Sequence, residues 1–294
     1  MLEPYIRKCI EFRAVEEAIA FQYKNQKMRC PVHLSIGQEY WLPFLKKNIF
    51  SALRCYSSHR SHSMYLALDG NIQAMIDEFY GLNSGCLKGK GGSMHLKDLN
   101  AGLEASIPIV GSSLPLALGS AFSAKHARKE LVSIAYFGDG ACEEGVLHEC
   151  LNFASIHNLP ILFLCENNRY SCNTMLNKRQ PTDNMCRFAE AAKIDQYAII
   201  PEDSFELIDK KFKEIIKKAY SMPVFVQVSS YRLYEHCGEK VDKETGDRTI
   251  EEFNFFKDRD PVSRLLAQNN EYKDLYTKTF NSITSYCEHL EVTL

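Results

Sequence analysis

The feature that most constrains this sequence is a strand–helix–strand pattern between residues 131 and 168. The segment LVSIAYF at 131–137 is a short apolar run that stops at Gly138-Asp139-Gly140, which predicts a buried strand and its turn. A second apolar run, ILFLC at 161–165, stops at Glu166-Asn167-Asn168 and predicts another buried strand. Two such strands joined through a helix are expected to be parallel, with a right-handed crossover.

A helix is predicted between these two strands. Leu147, Cys150 and Ala154 recur at helical spacing and share one face. Glu143 and Glu144 are expected in its first turn, where the helix macrodipole favours negative charge.

Polar residues follow each of the two strands. In an open parallel sheet, ligands bind beyond the carboxyl ends of the strands, and Asp139 and Asn168 would both lie at that edge. A carboxylate and an amide oxygen suit a hard cation such as magnesium, while the N–H groups of the Gly138 and Gly140 turn, at a helix start, suit an anion. The pattern is consistent with a diphosphate held by a metal, and equally with an ordinary βαβ turn that contains a loop Asp and Asn.

The rest of the chain supports an α/β fold. PVFVQVS at 223–229 predicts a further strand, and helical segments are predicted at residues 5–26, 70–80, 115–127 and 261–290. Alternating strands and helices indicate a parallel sheet flanked by helices. Because no repeat, low-complexity tract or linker-like composition is present, we expect one domain over residues 1–294, with a helical N-terminal segment and a short helical C-terminal tail.

Composition excludes several classes of protein. Of 294 residues, 45% are hydrophobic and 24% charged, as in globular rather than disordered or fibrous proteins. A net charge of −2 without a basic block argues against nucleic-acid binding. Eleven scattered cysteines without a C-x-x-C pair do not resemble a disulfide framework and favour a reducing compartment. Since no signal-peptide or membrane-spanning stretch is found, we expect a soluble, cytoplasmic protein.

The glycine-rich segment GCLKGKGGSMH at 85–95 is not a P-loop. A P-loop has four residues between its glycines and Ser or Thr directly after its Lys. Here three residues separate Gly85 from Gly89, and Gly91 follows Lys90. Two interpretations stay open: a flexible loop that lines a site, and a surface turn.

The segment YSSHRSHSMY at 56–65 contains His59, Arg60 and His62. An arginine is a good donor to phosphate, and a histidine can act as acid or base. Half a zinc site formed by Cys55, His59 and His62 lacks a second ligand cluster at suitable spacing. On the residues alone, loop histidines with satisfied hydrogen bonds explain this segment best.

Taken in order, these motifs resemble those of one enzyme family. The turn at 138–140, followed by Asn167-Asn168 after an apolar strand, looks like the thiamine diphosphate motif. The chain is similar to the alpha subunit of the first component of 2-oxo acid dehydrogenase complexes, of the pyruvate and acetoin type. The matching segments are HLSIGQE at 33–39, HRSH at 59–62, GCLKGKGGSMH at 85–95, IVGSSLPLALG at 109–119, GDGACEEG at 138–145, ENNRY at 166–170, YR at 231–232 with His236, and DP at 260–261.

The resemblance implies cofactor-binding roles for particular residues. Asp139, Asn168 and the backbone carbonyl of Tyr170 would ligate Mg²⁺. Val110 would touch the aminopyrimidine ring of thiamine diphosphate. The other expected cofactor contacts are Gly138, Gly140 and Ala141 through their backbone, Arg60 by charge, and His59 and His236 by their rings.

The resemblance also implies catalytic roles for His62 and His236, which would face the reactive thiazolium carbon and the substrate. This sequence departs from the family pattern near both. His59 stands where many members have Tyr, although acetoin-type members share His-Arg-x-His, and Tyr234-Glu235-His236-Cys237 replaces the usual His-Gly-His-Ser. Pro108 stands near the usual glycine before Ile109. These departures concern the substrate rather than the cofactor.

The implied function is that of a thiamine diphosphate-dependent subunit that decarboxylates a 2-oxo acid or cleaves an acyloin such as acetoin, and passes on the acyl group. Two alternatives stay open: a carbon–carbon ligase in sugar or specialised metabolism, and a non-catalytic interaction subunit. The resemblance implies a separate beta subunit in an α2β2 heterotetramer and, in a larger complex, a lipoyl acyltransferase core. We also expect no pyrimidine-binding domain after the strand at 223–229.

Overall fold

The structure, a computed structural model, describes residues 2–244 and 248–290. The chain divides into two compact units. The helical unit comprises the described residues of Met1–Pro43, Arg60–Asp98 and Tyr231–Leu294, and the sheet unit comprises Phe44–His59 and Leu99–Ser230. The expectation of one domain over residues 1–294 stays a prediction, and residues 1, 245–247 and 291–294 lie outside the described part.

The sheet unit is built on six parallel strands. In sheet order β2-β1-β3-β4-β8-β7, every neighbouring pair is parallel. A two-residue pair, β5 with β6, forms a separate antiparallel hairpin. The strands are β1 Ala52–Ser58, β2 Leu103–Ile107, β3 Leu131–Gly138, β4 Ile161–Asn167, β5 Tyr170–Ser171, β6 Thr174–Met175, β7 Asp195–Ile199 and β8 Val224–Ser229. This confirms the predicted α/β fold with a parallel sheet.

Only the strands that are buried almost throughout were predictable as apolar runs. β4 is buried along its whole length, and β3 along all but its last residue. In contrast, β1, β2 and β7 each combine buried with half-buried or exposed residues. A strand buried on both faces gives a continuous apolar run, whereas a partly exposed strand does not. The pattern therefore identified β3, β4 and β8 and missed β1, β2 and β7.

The described α-helices are α1 Glu3–Tyr23, α2 Leu42–Asn48, α3 His62–Ala67, α4 Ile72–Phe79, α5 Ser113–His126, α6 Gly145–His157, α7 Cys186–Ala191, α8 Phe205–Ala219, α9 Ile250–Lys257, α10 Pro261–Gln268 and α11 Asn270–Glu288. In the sheet unit, α5, α6 and α7 share one apolar core with Ala135, Phe137 and Phe163 of the sheet. The predicted helices at 5–26, 70–80 and 115–127 correspond to α1, α4 and α5, and the helical region 261–290 divides into α10 and α11.

A buried ion network ties three segments of the helical unit together. Arg13 of α1 donates hydrogen bonds to Glu39 and, at 3.0 Å, to Asp260, which caps the N-terminus of α10. All three side chains are at most 5% exposed. One buried guanidinium thus pairs with two buried carboxylates. Its single positive charge cannot compensate both negative charges.

Candidate functional site

The strand-end site lies where β3 and β4 finish in the sheet unit. Gly138 is the last residue of β3, and Asp139 begins a 3₁₀-helix that runs from Asp139 to Glu143. The α-helix α6 starts only at Gly145, with Glu144 as its N-cap. The expectation that Glu143 and Glu144 lie in the first turn of that helix is therefore wrong. The N–H groups of the 138–141 turn belong to the 3₁₀ segment instead.

Strand register brings the predicted metal ligands to one edge. Gly138 pairs with Glu166, and Asn167 pairs with Ser229, so Asp139 and Asn168 each directly follow the last residue of neighbouring strands β3 and β4. A Cβ on Gly140 would lie 2.8 Å from the Ser171 hydroxyl, so the 3₁₀ turn packs directly against the segment after Asn168. Asn168 Oδ1 accepts a hydrogen bond from the Tyr170 N–H at 3.2 Å. The strand-end site thus gathers the turn at 138–141 and the segment at 168–171.

Asp139 is buried and carries an ion pair that the sequence did not predict. Arg179 donates to Asp139 Oδ2 and also to Glu143 Oε1. Burial raises the pKa of Asp139, and the hydrogen bond and charge of Arg179 partly offset that rise. Arg179 lies forty positions downstream of Asp139 in a polar stretch, so no spacing rule points to it. The donor set at this edge, a carboxylate with amide and backbone oxygens, has the chemistry that a hard cation prefers.

Val110 lies on the loop that precedes α5 in the same unit. The side chains of Ile109 and Val110 are 70% and 48% exposed, which is unusual for two adjacent apolar residues. Gly111 has a φ of +82°, and a Cβ there would lie 3.2 Å from Val146. This backbone conformation favours glycine. The close approach to Val146 places the loop beside the start of α6. The exposed Val110 side chain is therefore accessible for an apolar contact with a ligand.

In the helical unit, His62 is fully buried and both of its ring nitrogens have partners. Nδ1 lies 2.8 Å from Glu16 Oε1, and Nε2 lies 2.6 Å from the Ser93 hydroxyl. Glu16 Oε2 also accepts the Ser35 N–H at 2.7 Å. Because the carboxylate can only accept, Nδ1 carries hydrogen and Nε2 faces the hydroxyl. Sequence reasoning missed Glu16 and Ser93. The one signal for Glu16 is a charged residue within the buried side of α1.

Arg60 and His236 contact each other in the same unit. Arg60 donates to the carbonyl oxygens of Leu34 at 2.7 Å and His236 at 2.9 Å. It also lies 3.3 Å from His236 Nδ1. Since a guanidinium can only donate, Nδ1 accepts and the ring hydrogen resides on Nε2. The side chain of Arg60 is thus anchored by backbone, with 5% exposure.

The predicted site residues therefore fall in two groups. The sheet unit holds His59, Val110, Gly138, Asp139, Gly140, Ala141, Asn168 and Tyr170, and the helical unit holds Arg60, His62 and His236. Within each group the structure gives the contacts described above. The roles assigned to these eleven residues stay predictions.

The glycine-rich segment surrounds an internal carboxylate. Glu78 of α4, 1% exposed, accepts four backbone hydrogen bonds of 2.6–3.0 Å, from the N–H groups of Leu87, Gly89, Gly91 and Gly92. A Cβ on Gly85 would lie 2.5 Å from Glu78 Oε2, so side chains are excluded at this position. The loop therefore wraps a glutamate of its own chain, and the two interpretations left open by the sequence stay predictions. It ends at Ser93, the partner of His62.

Comparison with known proteins agrees with this geometry. A family model described as the dehydrogenase E1 component matches residues 7–279. The chain belongs to this family. The alpha subunit of acetoin:2,6-dichlorophenolindophenol oxidoreductase from Bacillus subtilis (strain 168) is 31% identical over 248 residues, covering 83% of this chain and 74% of that protein.

Two pyruvate dehydrogenase relatives extend the match within the dehydrogenase E1 component family. The pyruvate dehydrogenase E1 component subunit alpha of Rickettsia bellii (strain RML369-C) is 29% identical over 276 residues, covering 91% of this chain and 83% of that protein. The mitochondrial pyruvate dehydrogenase E1 component subunit alpha of Solanum tuberosum is 28% identical over 286 residues. The match covers 93% of this chain and 71% of that protein. The predicted family is confirmed, and with it an enzyme family that uses thiamine diphosphate. Among the helices of the described residues, none has both the length and the hydropathy that a membrane crossing requires.

Proposed function

We propose that this chain is the alpha subunit of a thiamine diphosphate-dependent enzyme that decarboxylates a 2-oxo acid or cleaves an acyloin such as acetoin, and passes on the acyl group. The observation that supports the proposal is the strand-end site, where Asp139 follows β3 and Asn168 and Tyr170 follow the neighbouring strand β4, in a chain of the dehydrogenase E1 component family. The names of the acetoin and pyruvate relatives support these two substrate classes.

The oxygen atoms of the strand-end site fit a magnesium ion. Asp139 would supply a carboxylate oxygen, Asn168 its amide oxygen and Tyr170 its backbone carbonyl. These are hard ligands of the type that Mg²⁺ takes together with phosphate oxygens. The backbone of Gly138, Gly140 and Ala141 would lie against the diphosphate, since Gly140 has no Cβ to hold a ligand away. Bound there, thiamine diphosphate would supply a carbanion equivalent for the acyl group.

Residues of the helical unit would handle charge and protons. His62, fixed between Glu16 and Ser93, has a single orientation, which suits a group that holds a proton at one position. Arg60 holds Nδ1 of His236, so that Nε2 can donate a hydrogen to a developing negative charge. Arg60 and His59 are adjacent in sequence and would contact the cofactor, while Val110 would contact its aminopyrimidine ring.

The alpha subunits among the relatives support a beta subunit as partner of this chain. We include in the proposal an α2β2 heterotetramer in the cytoplasm, and a lipoyl acyltransferase core if the enzyme belongs to a larger complex. The beta subunit would supply the carboxylate that activates the aminopyrimidine ring.

The proposal is tested with the chain copurified with a beta-like subunit from the same genome. With thiamine diphosphate and Mg²⁺, pyruvate and acetoin are supplied in turn, and reduction of dichlorophenolindophenol is followed. Cofactor-dependent reduction with either substrate supports the proposal. Condensation of the acyl group with an added aldehyde, without dye reduction, would favour the carbon–carbon ligase. A purified complex that does not bind thiamine diphosphate would favour the non-catalytic subunit.

A further inference from the structure

A buried guanidinium already occupies the carboxylate that the proposed function assigns to the metal. Arg179 donates through Nη2 to Asp139 Oδ2 and through Nη1 to Glu143 Oε1. The Arg179 side chain is 9% exposed and that of Asp139 is 2% exposed. A carboxylate removed from water needs a positive partner or a proton. Arg179 is that partner for Asp139.

A divalent cation and the Arg179 guanidinium would compete for the carboxylate of Asp139. Mg²⁺ binds a carboxylate oxygen at about 2.0–2.1 Å. A guanidinium bonded to the same carboxylate would lie a few ångströms from the ion, and burial reduces the screening of their repulsion by water. A cation that binds alone therefore has to move Arg179 away from Asp139.

The surroundings of Arg179 provide for such a displacement. Glu143 is 32% exposed and can keep the guanidinium after Asp139 has released it. The Thr174 carbonyl also accepts from Arg179 Nε at 3.0 Å. One ion pair would thus be broken and the other retained, so the guanidinium is not left without a partner.

We propose that Arg179 is an internal counter-ion that competes with the divalent cation for Asp139. A cation then binds weakly by itself, and binds tightly when a diphosphate contributes negative charge that offsets Arg179. Cation and diphosphate binding are thereby coupled, and each strengthens the other. This inference rests on the proposed function, because it takes Asp139 as a metal ligand. An orienting role for Arg179, with both groups bound to Asp139 at once, would have the opposite effect on cation affinity.

The test measures Mn²⁺ binding by electron paramagnetic resonance on the full chain as purified, without cofactor and then with thiamine diphosphate. Without cofactor, Arg179→Met is expected to bind Mn²⁺ about tenfold tighter than the unmodified chain, in the range of ordinary coupling between sites. Thiamine diphosphate should then enhance Mn²⁺ binding less than in the unmodified chain. Arg179→Lys keeps the charge and should retain most of the competition.

The matched control is Arg54→Gln, which removes the same charge from the same unit. Arg54 of β1 lies 3.3 Å from Glu104, another arginine–carboxylate pair, and belongs to neither segment of the strand-end site. Its Mn²⁺ affinity should change less than twofold. If Arg179→Met does not fold, Glu143→Gln remains informative: without the carboxylate that receives Arg179, Mn²⁺ binding should weaken about fivefold.

The outcomes separate the inference from the proposed function. If Asp139→Asn abolishes Mn²⁺ binding while Arg179→Met leaves it unchanged or weaker, the counter-ion role is wrong and the metal site stands. If Glu143→Gln binds Mn²⁺ as tightly as the unmodified chain or tighter, the inference is also wrong. If Asp139→Asn binds Mn²⁺ as well as the unmodified chain, the proposed metal site and the inference fail together.

Discussion

At the scale of single residues, the function proposed for this chain depends most on Asp139. Its position after β3 followed from the sequence, because the end of a buried apolar run is a strong signal. Its pairing with Arg179 did not, because that contact depends on how a polar stretch forty residues away folds back over the turn. The same holds for His62, whose buried partner Glu16 lies on the first helix.

Asp139→Ala is expected to abolish Mg²⁺-dependent binding of thiamine diphosphate, with an affinity loss of more than about 100-fold, since a charged ligand is removed. The fold should persist, because Arg179 keeps Glu143 as a partner. Isothermal titration of the complex measures the change, with Glu149→Ala, an exposed carboxylate on α6, as control. Unchanged cofactor affinity in Asp139→Ala would contradict the assignment.

Replacing His62 or His236 by Ala should lower kcat by about 10²–10⁴-fold while the cofactor still binds. The two variants should differ in stability. His62→Ala leaves the buried Glu16 carboxylate without its ring hydrogen bond, and a buried acceptor left unsatisfied costs about 1–3 kcal/mol, more when it is charged. His236 is half-buried, so His236→Ala should unfold nearly as the unmodified chain does. Steady-state kinetics measure the change in kcat, and urea unfolding measures the change in stability. Full activity in both variants would show that these histidines have no catalytic role.

At the scale of secondary-structure elements, internal carboxylates organise the loops and helices of the helical unit. Glu78 orders the glycine-rich loop after α4, and the Arg13 network connects α1 with the start of α10. Glu78 was not predictable as a structural centre, because a glutamate in a helix is usually exposed.

Glu78→Gln should destabilise the protein by about 2–4 kcal/mol. The amide keeps one accepting oxygen, so the N–H groups that face the other oxygen lose their partner inside the protein. Urea unfolding measures the loss, and Glu149→Gln on the exposed side of α6 is the control. A loss no greater than that of the control would mean that water replaces the carboxylate.

Glu39 should make stability depend on pH. Burial, together with the charge of Asp260, raises the pKa of Glu39 from 4.5 to about 7, although Arg13 opposes the rise. The folded state then holds a proton that the unfolded chain loses above pH 4.5. Stability is therefore expected to fall as pH rises from about 4.5 to 7, by up to about 1.4 kcal/mol per pH unit for one proton.

Unfolding midpoints of the unmodified chain and Glu39→Gln, measured between pH 4.5 and 8, isolate this contribution. Between about pH 4.5 and 7 the unmodified chain should lose stability relative to Glu39→Gln. Above pH 7 the difference in stability between the two should stay constant. A constant difference across the whole range would show that Glu39 does not titrate there.

At the scale of the whole molecule, the chain is expected to be inactive by itself. In the proposed function a beta subunit supplies the carboxylate that activates the aminopyrimidine ring. Purification with and without the beta-like subunit, followed by mass measurement and thiamine-dependent turnover, should give activity only in an α2β2 assembly. An active homodimer with full cofactor occupancy would overturn the two-chain proposal.

The sequence by itself determined the family, the parallel sheet and the strand-end position of Asp139 and Asn168. These features rest on local patterns: apolar runs as long as a strand, turn residues at their ends, and motifs in a fixed order. A strand buried on both faces gives a continuous apolar run in the sequence, which is why β3, β4 and β8 were found.

Only the tertiary structure decided what the buried charges contact. The pairs Arg179 with Asp139, Glu16 with His62 and Glu78 with the glycine-rich loop join residues 9 to 46 positions apart. From the sequence alone a charged side chain is predicted to be exposed, since most charged side chains are exposed. Whether it is buried depends on a partner that compensates its lost hydration, and that partner is brought near only by the folded chain.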